Sequence, residues 1–202
     1  MNLILFGGFL GSGKTSLILS LAHFIVESDV QAKAKLVIIE NEVGEIGIDD
    51  KVLKSDGYSV KELFAGCICC QLTSDLITTL NEINETIKPE WVIIETTGLA
   101  YPSKILGNLN KYGKGIDSIR TVAVVDSERF EELTAITPVL IENQISQGDI
   151  ILVNKIDLVS EEELKHLEEH VVKLNEKAIV YKVSANNKVN DSIWKEVMKT
   201  CE

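Results

Sequence analysis

Three short constellations in the chain have residue types and spacing that could do chemistry. They are Gly8-Phe9-Leu10-Gly11-Ser12-Gly13-Lys14-Thr15, Gly66-Cys67-Ile68-Cys69-Cys70 and Asn154-Lys155-Ile156-Asp157. The first has the form G-x-x-x-x-G-K-[ST]. Gly8, Gly11 and Gly13 let backbone N–H groups converge on an anion, with Ser12 and Ser16 in the same turn. A helix opening at Lys14 adds the positive end of its dipole. Lys14 supplies a point charge to the β- and γ-phosphates of a nucleotide, and the Thr15 hydroxyl suits Mg²⁺. An acid to share that ion is needed at a strand end, and Val92-Ile93-Ile94-Glu95-Thr96-Thr97-Gly98 offers one. Glu95 would hold Mg²⁺, directly or through water, and the Gly98 N–H would sense the γ-phosphate. Asp126 is a competing acid, but no glycine follows it at that spacing. Lys14, Thr15 and Glu95 are therefore the catalytic candidates. No residue stands out to orient an attacking water. Neither arginine of the chain, Arg120 or Arg129, sits in a motif that marks an arginine finger. Slow intrinsic turnover, raised by a partner or by dimerisation, is the expectation.

The third constellation reads as a base selector. Asn154-Lys155-x-Asp157 follows the apolar run 150–153, at a strand end where ligands of open α/β sheets bind. A carboxylate at Asp157 accepts two hydrogen bonds from guanine N1–H and N2–H₂, which adenine lacks; in a buried site the mismatch is worth about 2–5 kcal/mol. Lys155 would lay its stem along the base and Asn154 would brace the loop. Ser184-Ala185, after the next apolar run, offers a backbone N–H to guanine O6, and Asn186 is polar enough to share that role. GTP and GDP are the expected ligands.

The second constellation is a thiol cluster. Thiolates are soft donors that select Zn²⁺, Cu⁺ and similar ions, and a reducing cytoplasm keeps them available. In an extended stretch Cys67 and Cys69 share a side, and Cys70 needs a turn to join them. Three thiolates leave a tetrahedral ion one ligand short. The stretch Glu40-Asn41-Glu42-Val43-Gly44-Glu45 is a candidate donor; from Glu40 onward five carboxylates, Glu40, Glu42, Glu45, Asp49 and Asp50, come before any basic residue, the next being Lys51. Other readings of the cysteines are small buried hydrophobes or a vicinal Cys69–Cys70 thiol switch. His166 and His170 could share a metal but read better as a solvated helix face with Lys165, Glu168 and Glu169, and Cys201 as a near-terminal thiol.

The elements that must position these groups alternate along the chain. Apolar runs at 3–6, 36–39, 91–94, 122–125, 150–153 and 179–183 are continuous, as strands covered on both faces are. Helical spacing separates them at residues 14–28, 74–87 and 161–174, the last opened by Ser160 as N-cap with Glu163 completing a capping box. The pattern predicts a three-layer α/β/α fold with a mostly parallel sheet, in a single domain over residues 1–202. Residues 40–66 and 107–118 fit least, and the glycines of the second stretch make it read as a mobile loop. A formal charge of −11 disfavours a nucleic-acid partner. The first apolar run breaks at Gly7-Gly8, too short for a signal peptide or membrane span, so a cytoplasmic protein with no membrane partner is expected.

Taken in order, the phosphate loop, Glu40-Asn41-Glu42-Val43-Gly44-Glu45, Gly-Cys-Ile-Cys-Cys, Glu95-Thr96-Thr97-Gly98-Leu99-Ala100-x-Pro102 and Asn154-Lys155-x-Asp157 resemble the CobW-type metal-related GTPases. That group stands with the urease and hydrogenase nickel-insertion GTPases. The resemblance implies GTP- and Mg²⁺-dependent metal delivery to a client metalloenzyme or cofactor protein. It implies a transition metal, Zn²⁺ first and Co²⁺ or Ni²⁺ as alternatives, at Cys67, Cys69 and Cys70 with Glu40 or Glu45. Such proteins usually carry a second, C-terminal CobW domain, which is expected to be absent here, leaving client recognition open. Homodimerisation is a further expectation. Two rival functions stay open: a GTP-dependent chaperone or reactivator of a metal- or corrinoid-cofactor enzyme without metal delivery, and a non-hydrolysing nucleotide-dependent adaptor.

Overall fold

The computed structural model of the chain describes residues 1–28, 36–40, 59–62 and 71–199. Glu45, Cys67, Cys69, Cys70 and Cys201 lie outside the described residues. The strands are β1 (Asn2–Gly8), β2 (Leu36–Glu40), β3 (Ser59–Glu62), β4 (Trp91–Glu95), β5 (Ser118–Asp126), β6 (Ile150–Asn154) and β7 (Ile179–Lys182). They form one sheet in the order β3-β2-β4-β1-β5-β6-β7, with every pairing parallel. The helices are α1 (Lys14–Ser28), α2 (Gln71–Thr86), α3 (Pro102–Tyr112), α4 (Phe130–Ile136), α5 (Pro138–Ser146), α6 (Glu161–Leu174) and α7 (Asp191–Val197).

Side chains alternate across a strand, so a strand buried on both faces feeds two cores. Ile4 and Phe6 of β1 pack with Ile93, Val124 and Leu152 against α1 and α7. Leu3 and Leu5 point the other way, to α2 and α3, through Leu76, Leu80, Ile83 and Leu109. On that second face Val125, Ile151 and Val153 meet Phe130, Ile145 and Val171 from α4, α5 and α6. This is the three-layer α/β/α arrangement, and it explains why the central strands read as unbroken apolar runs. The edge strand β7 departs from the reading: Ile179 is exposed and the strand is only half covered, because it is the last strand of the sheet among the described residues.

Boundaries shifted where local chemistry decided them. Helix α2 opens at Gln71, ahead of the predicted 74, and Lys88 in a left-handed conformation (φ 52°) closes it before Pro89. The capping box at the start of α6 is formed: the Ser160 hydroxyl accepts from the Glu163 N–H, and the Glu163 carboxylate takes the Ser160 N–H at 2.8 Å. The stretch 107–118 is not a loop throughout. Residues 107–112 finish α3, which Pro102 starts, and the Gly113 N–H closes it on the Leu109 carbonyl at 2.9 Å. Burial of Leu109, with Ile105 and Leu106 packed beside it, outweighs the roughly 1 kcal/mol that Gly107 costs inside a helix. Strand β3, within 40–66, carries one apolar residue in Ser-Val-Lys-Glu, too little for a periodic signal. No helix of the described residues is long and apolar enough to cross a membrane.

Because all strands are parallel, their C-terminal ends share one edge. The phosphate loop leaves β1 there, Glu95 ends β4, Asp126 ends β5 and Asn154 ends β6. Glu40 is the register partner of both Glu95 and Glu62, so β2 and β3 finish level with them.

Candidate nucleotide site

The loop between β1 and α1 is shaped by its glycines. Gly8, Gly11 and Gly13 have φ of +143°, +77° and +92°, a region in which a Cβ is strained. Space excludes a side chain at two of them as well: at Gly8 it would meet the Val124 carbonyl, and at Gly13 the Asn154 amide. Lys14 is buried, with its ammonium donating to the Phe9 carbonyl at 3.1 Å. Ser12 is buried and Ser16 exposed at the start of α1.

Glu95 reaches the loop from β4. The Thr15 hydroxyl lies 2.9 and 3.0 Å from its two carboxylate oxygens. Glu95 is 8% exposed, and Thr96 ties the strand end to β1 by donating its N–H and its hydroxyl to the Phe6 carbonyl, both at 3.0 Å. A hydroxyl and a carboxylate side by side are hard oxygen donors of the kind Mg²⁺ takes. The donor set therefore fits that ion. Gly98 follows in a packed position, where a Cβ would stand 2.5 Å from the Leu10 nitrogen. Its carbonyl accepts from the buried Gln144 amide at 3.1 Å, and that amide also reaches the Ala100 carbonyl at 3.3 Å. Gln144 has no motif to announce it; only the packing of α5 shows its role.

The opposite wall is built from the end of β6. The Asn154 amide donates to the Ser12 carbonyl at 2.8 Å, while its oxygen accepts the Ala185 N–H at 2.9 Å. One buried side chain thus joins the phosphate loop to the Ser184-Ala185 turn. The Ala185 N–H, a candidate donor to guanine O6, is engaged by Asn154 in this structure. Lys155 holds a left-handed backbone (φ 64°), and its ammonium pairs with Asp126 at 2.8 Å and lies 3.8 Å from Glu128. Asp126 is thereby a partner of Lys155, whereas Glu95 is the acid beside Thr15. Asp157 sits in a 3₁₀ turn (Ile156–Leu158) and is exposed rather than buried. The Ser184 hydroxyl first, then its own backbone amide and the Asn186 side chain, hold its carboxyl below the usual carboxylate range. Asn186 donates to it at 3.3 Å. Beside it, Ile156, Val183, Ser184, Asn187, Val189 and Ile193 are among the residues lining a cavity of about 510 Å³.

Of the metal-ligand candidates, Glu40 is placed as the last residue of β2, next to Glu95 in register. The chain leaves β3 at Glu62 on this same edge and enters α2 at Gln71; Cys67, Cys69 and Cys70 fall between, outside the described residues. His166 does not pair with His170: it meets Glu131 at 3.1 Å, while His170 stands edge-on to Phe130 with ring centres 5.2 Å apart. Among the described residues no group of three or more metal-ligating side chains is assembled.

A parallel sheet whose first strand opens into this loop is a P-loop nucleotide-binding fold. The chain belongs to the CobW/HypB/UreG family, whose nucleotide-binding domain matches residues 2–182. It is 34% identical over 157 residues to the zinc chaperone YeiR of Escherichia coli K12, covering 77% of this chain and 46% of that protein. It is 32% identical over 195 residues to the zinc chaperone CobW of a Sinorhizobium species, covering 81% and 53%. The chain thus spans about half the length of these curated relatives. Among solved structures, a Zn(II)-bound triple mutant of the YjiA GTPase, a protein of E. coli, superposes with a TM-score of 0.67 at 25% identity, covering 94% of this chain and 59% of that one.

Proposed function

We propose that this domain binds GTP with Mg²⁺, hydrolyses it slowly to GDP and phosphate, and couples the nucleotide state to a transition metal carried on Cys67, Cys69 and Cys70. Lys14 and the loop amides would hold the phosphates, Thr15 and Glu95 the Mg²⁺, and Asp157 the guanine edge. Mg²⁺ supplies charge neutralisation at the phosphates when bound. The carried metal is cargo, Zn²⁺ foremost, passed to a client metalloenzyme in a reducing, cytoplasmic setting. The observation that carries this reading is one shared edge: Thr15 and Glu95 meet at 2.9 Å there, Glu40 ends level with Glu95, and the chain enters and leaves the thiol segment from β3 and α2. The names of the relatives, zinc chaperones, agree with it.

The test is a Zn²⁺ titration of anaerobically reduced protein in the presence of GTP analogue or GDP, each with Mg²⁺. A difference of at least fivefold in Zn²⁺ affinity between the two states is expected, and Cys69→Ala removes it; about 1 kcal/mol of coupling is the smallest useful switch. Equal affinities in both states, unchanged by Cys69→Ala, would sink the coupling. A preference for ATP over GTP would sink the nucleotide assignment.

A further inference from the structure

Arg129 follows β5 by three residues, on the edge where the phosphate loop opens. Its guanidinium crosses to that loop. One terminal N–H donates to the Leu10 carbonyl at 3.3 Å, the carbon of the group lies 5.6 Å from the centre of the Phe9 ring, and Nη1 stands 3.5 Å from where a Cβ of Gly11 would be. Two cations thus rest on consecutive carbonyls of one loop, Lys14 on Phe9 and Arg129 on Leu10. The remaining guanidinium N–H groups make no hydrogen bond to protein among the described residues. Arg120 cannot take this place: it is tied to the carbonyls of Glu196, within α7, and Lys199, just past its end.

We infer that Arg129 is a phosphate-binding cation supplied in cis: when GTP fills the loop, its guanidinium leaves the Leu10 carbonyl for the γ-phosphate. This deepens the reading of the site as a GTPase and rests on it. A single neutral carbonyl at 3.3 Å is a weak acceptor for a guanidinium, and a phosphate oxygen is a stronger, charge-assisted one. The move needs only rotation about the arginine's own side-chain bonds, since its backbone is the N-cap of α4 and stays anchored to β5. In the step it assists, a water oxygen bonds to the γ-phosphorus. The bond to the β–γ bridging oxygen breaks with its electron pair on GDP, and the water proton goes to the released phosphate. Negative charge grows on the bridging oxygen and the γ-oxygens, and a fixed planar cation beside them lowers its cost.

Hydrolysis of GTP with Mg²⁺ is compared for the wild-type protein, Arg129→Gln and Arg129→Lys, together with affinities for GDP and a non-hydrolysable GTP analogue. Glutamine keeps a donor for the Leu10 carbonyl without the charge. The expected result is a fall in kcat of at least tenfold for Arg129→Gln, weaker binding of the GTP analogue, and GDP affinity within twofold of wild type. Arg129→Lys, with charge but no planar fork, is expected between the two, and it carries the test should the glutamine variant not fold. Wild-type hydrolysis matched by both variants, with an unchanged GTP-to-GDP preference, overturns the inference and leaves the GTPase reading standing. Equal losses of GTP and GDP affinity would assign Arg129 to holding the loop and overturn it too. A wild-type protein without GTP hydrolysis overturns both.

Discussion

At the residue scale the proposed choice of guanine turns on Asp157. Its carboxyl is held below the ordinary value of 3.8, by the Ser184 hydroxyl first. A lowered folded-state value means the carboxylate is present above 3.8 and is lost only as pH falls through the lower value, so both acceptor oxygens persist through the physiological range. GDP affinity should therefore stay flat from about pH 8 down to about pH 5, followed by fluorescence titration. Asp157→Asn exchanges one acceptor for a donor. It should weaken GTP binding by about 30-fold and favour a xanthine nucleotide, whose 2-oxo group accepts where guanine donates. Competition binding with GTP and XTP decides this. Asp157 stands in a four-residue pattern at a strand end, so its candidacy was legible in the sequence. Its exposure was not, because burial of a loop acid depends on what packs over it. Nor were Gln144, which holds the turn after β4, and Arg129, which reaches the phosphate loop because β5 is the neighbour of β1.

At the element scale, the end of β6 is tied to the start of α1. Asn154 is 1% exposed, and both ends of its amide are used, one on Ser12 and one on Ala185. Asn154→Ala leaves the Ser12 carbonyl and the Ala185 N–H without that partner, a loss of about 1–3 kcal/mol. GTP and GDP affinities should fall together, by the same factor, with a lowered Tm; calorimetry and thermal unfolding measure the two. A selective loss of GTP alone would argue against this tie. The long helices α1 and α6 and the central strands were readable from periodicity and from the Ser160–Glu163 box. The short helices α4, α5 and α7 were not: Thr137-Pro138 divides two of them, and seven to nine residues give too few turns for a pattern. Gly107, Gly113 and Gly115 together read as a loop because the core beneath Leu109 leaves no mark in a local window of sequence.

At the scale of the whole molecule, the fold class was legible because apolar runs and helical stripes alternate, an arrangement few architectures satisfy. The face of the core beneath α1 was harder to foresee. Trp194 of α7, 1% exposed, fills the space between α1 and the sheet, although α7 lies beyond residue 182, where the family match ends. Trp194→Ala should destabilise the protein by about 3–5 kcal/mol. Urea unfolding reads the loss, while GDP affinity in native buffer stays within twofold, because Trp194 is a core residue outside the phosphate loop. Unchanged unfolding would mean that α7 is a passive appendage.

The strand order has a consequence for how such a molecule diversifies. The residues proposed for base choice and phosphate handling follow β1, β4, β5 and β6, threaded through the middle of the sheet, whereas β2 and β3 lie to one flank, with β3 at the rim. Between β2 and α2 the described chain contributes β3 alone, which pairs with β2 and not with the central strands. If the proposed function holds, a lineage can rewrite what joins on at that rim for a different passenger while the fuel stays the same.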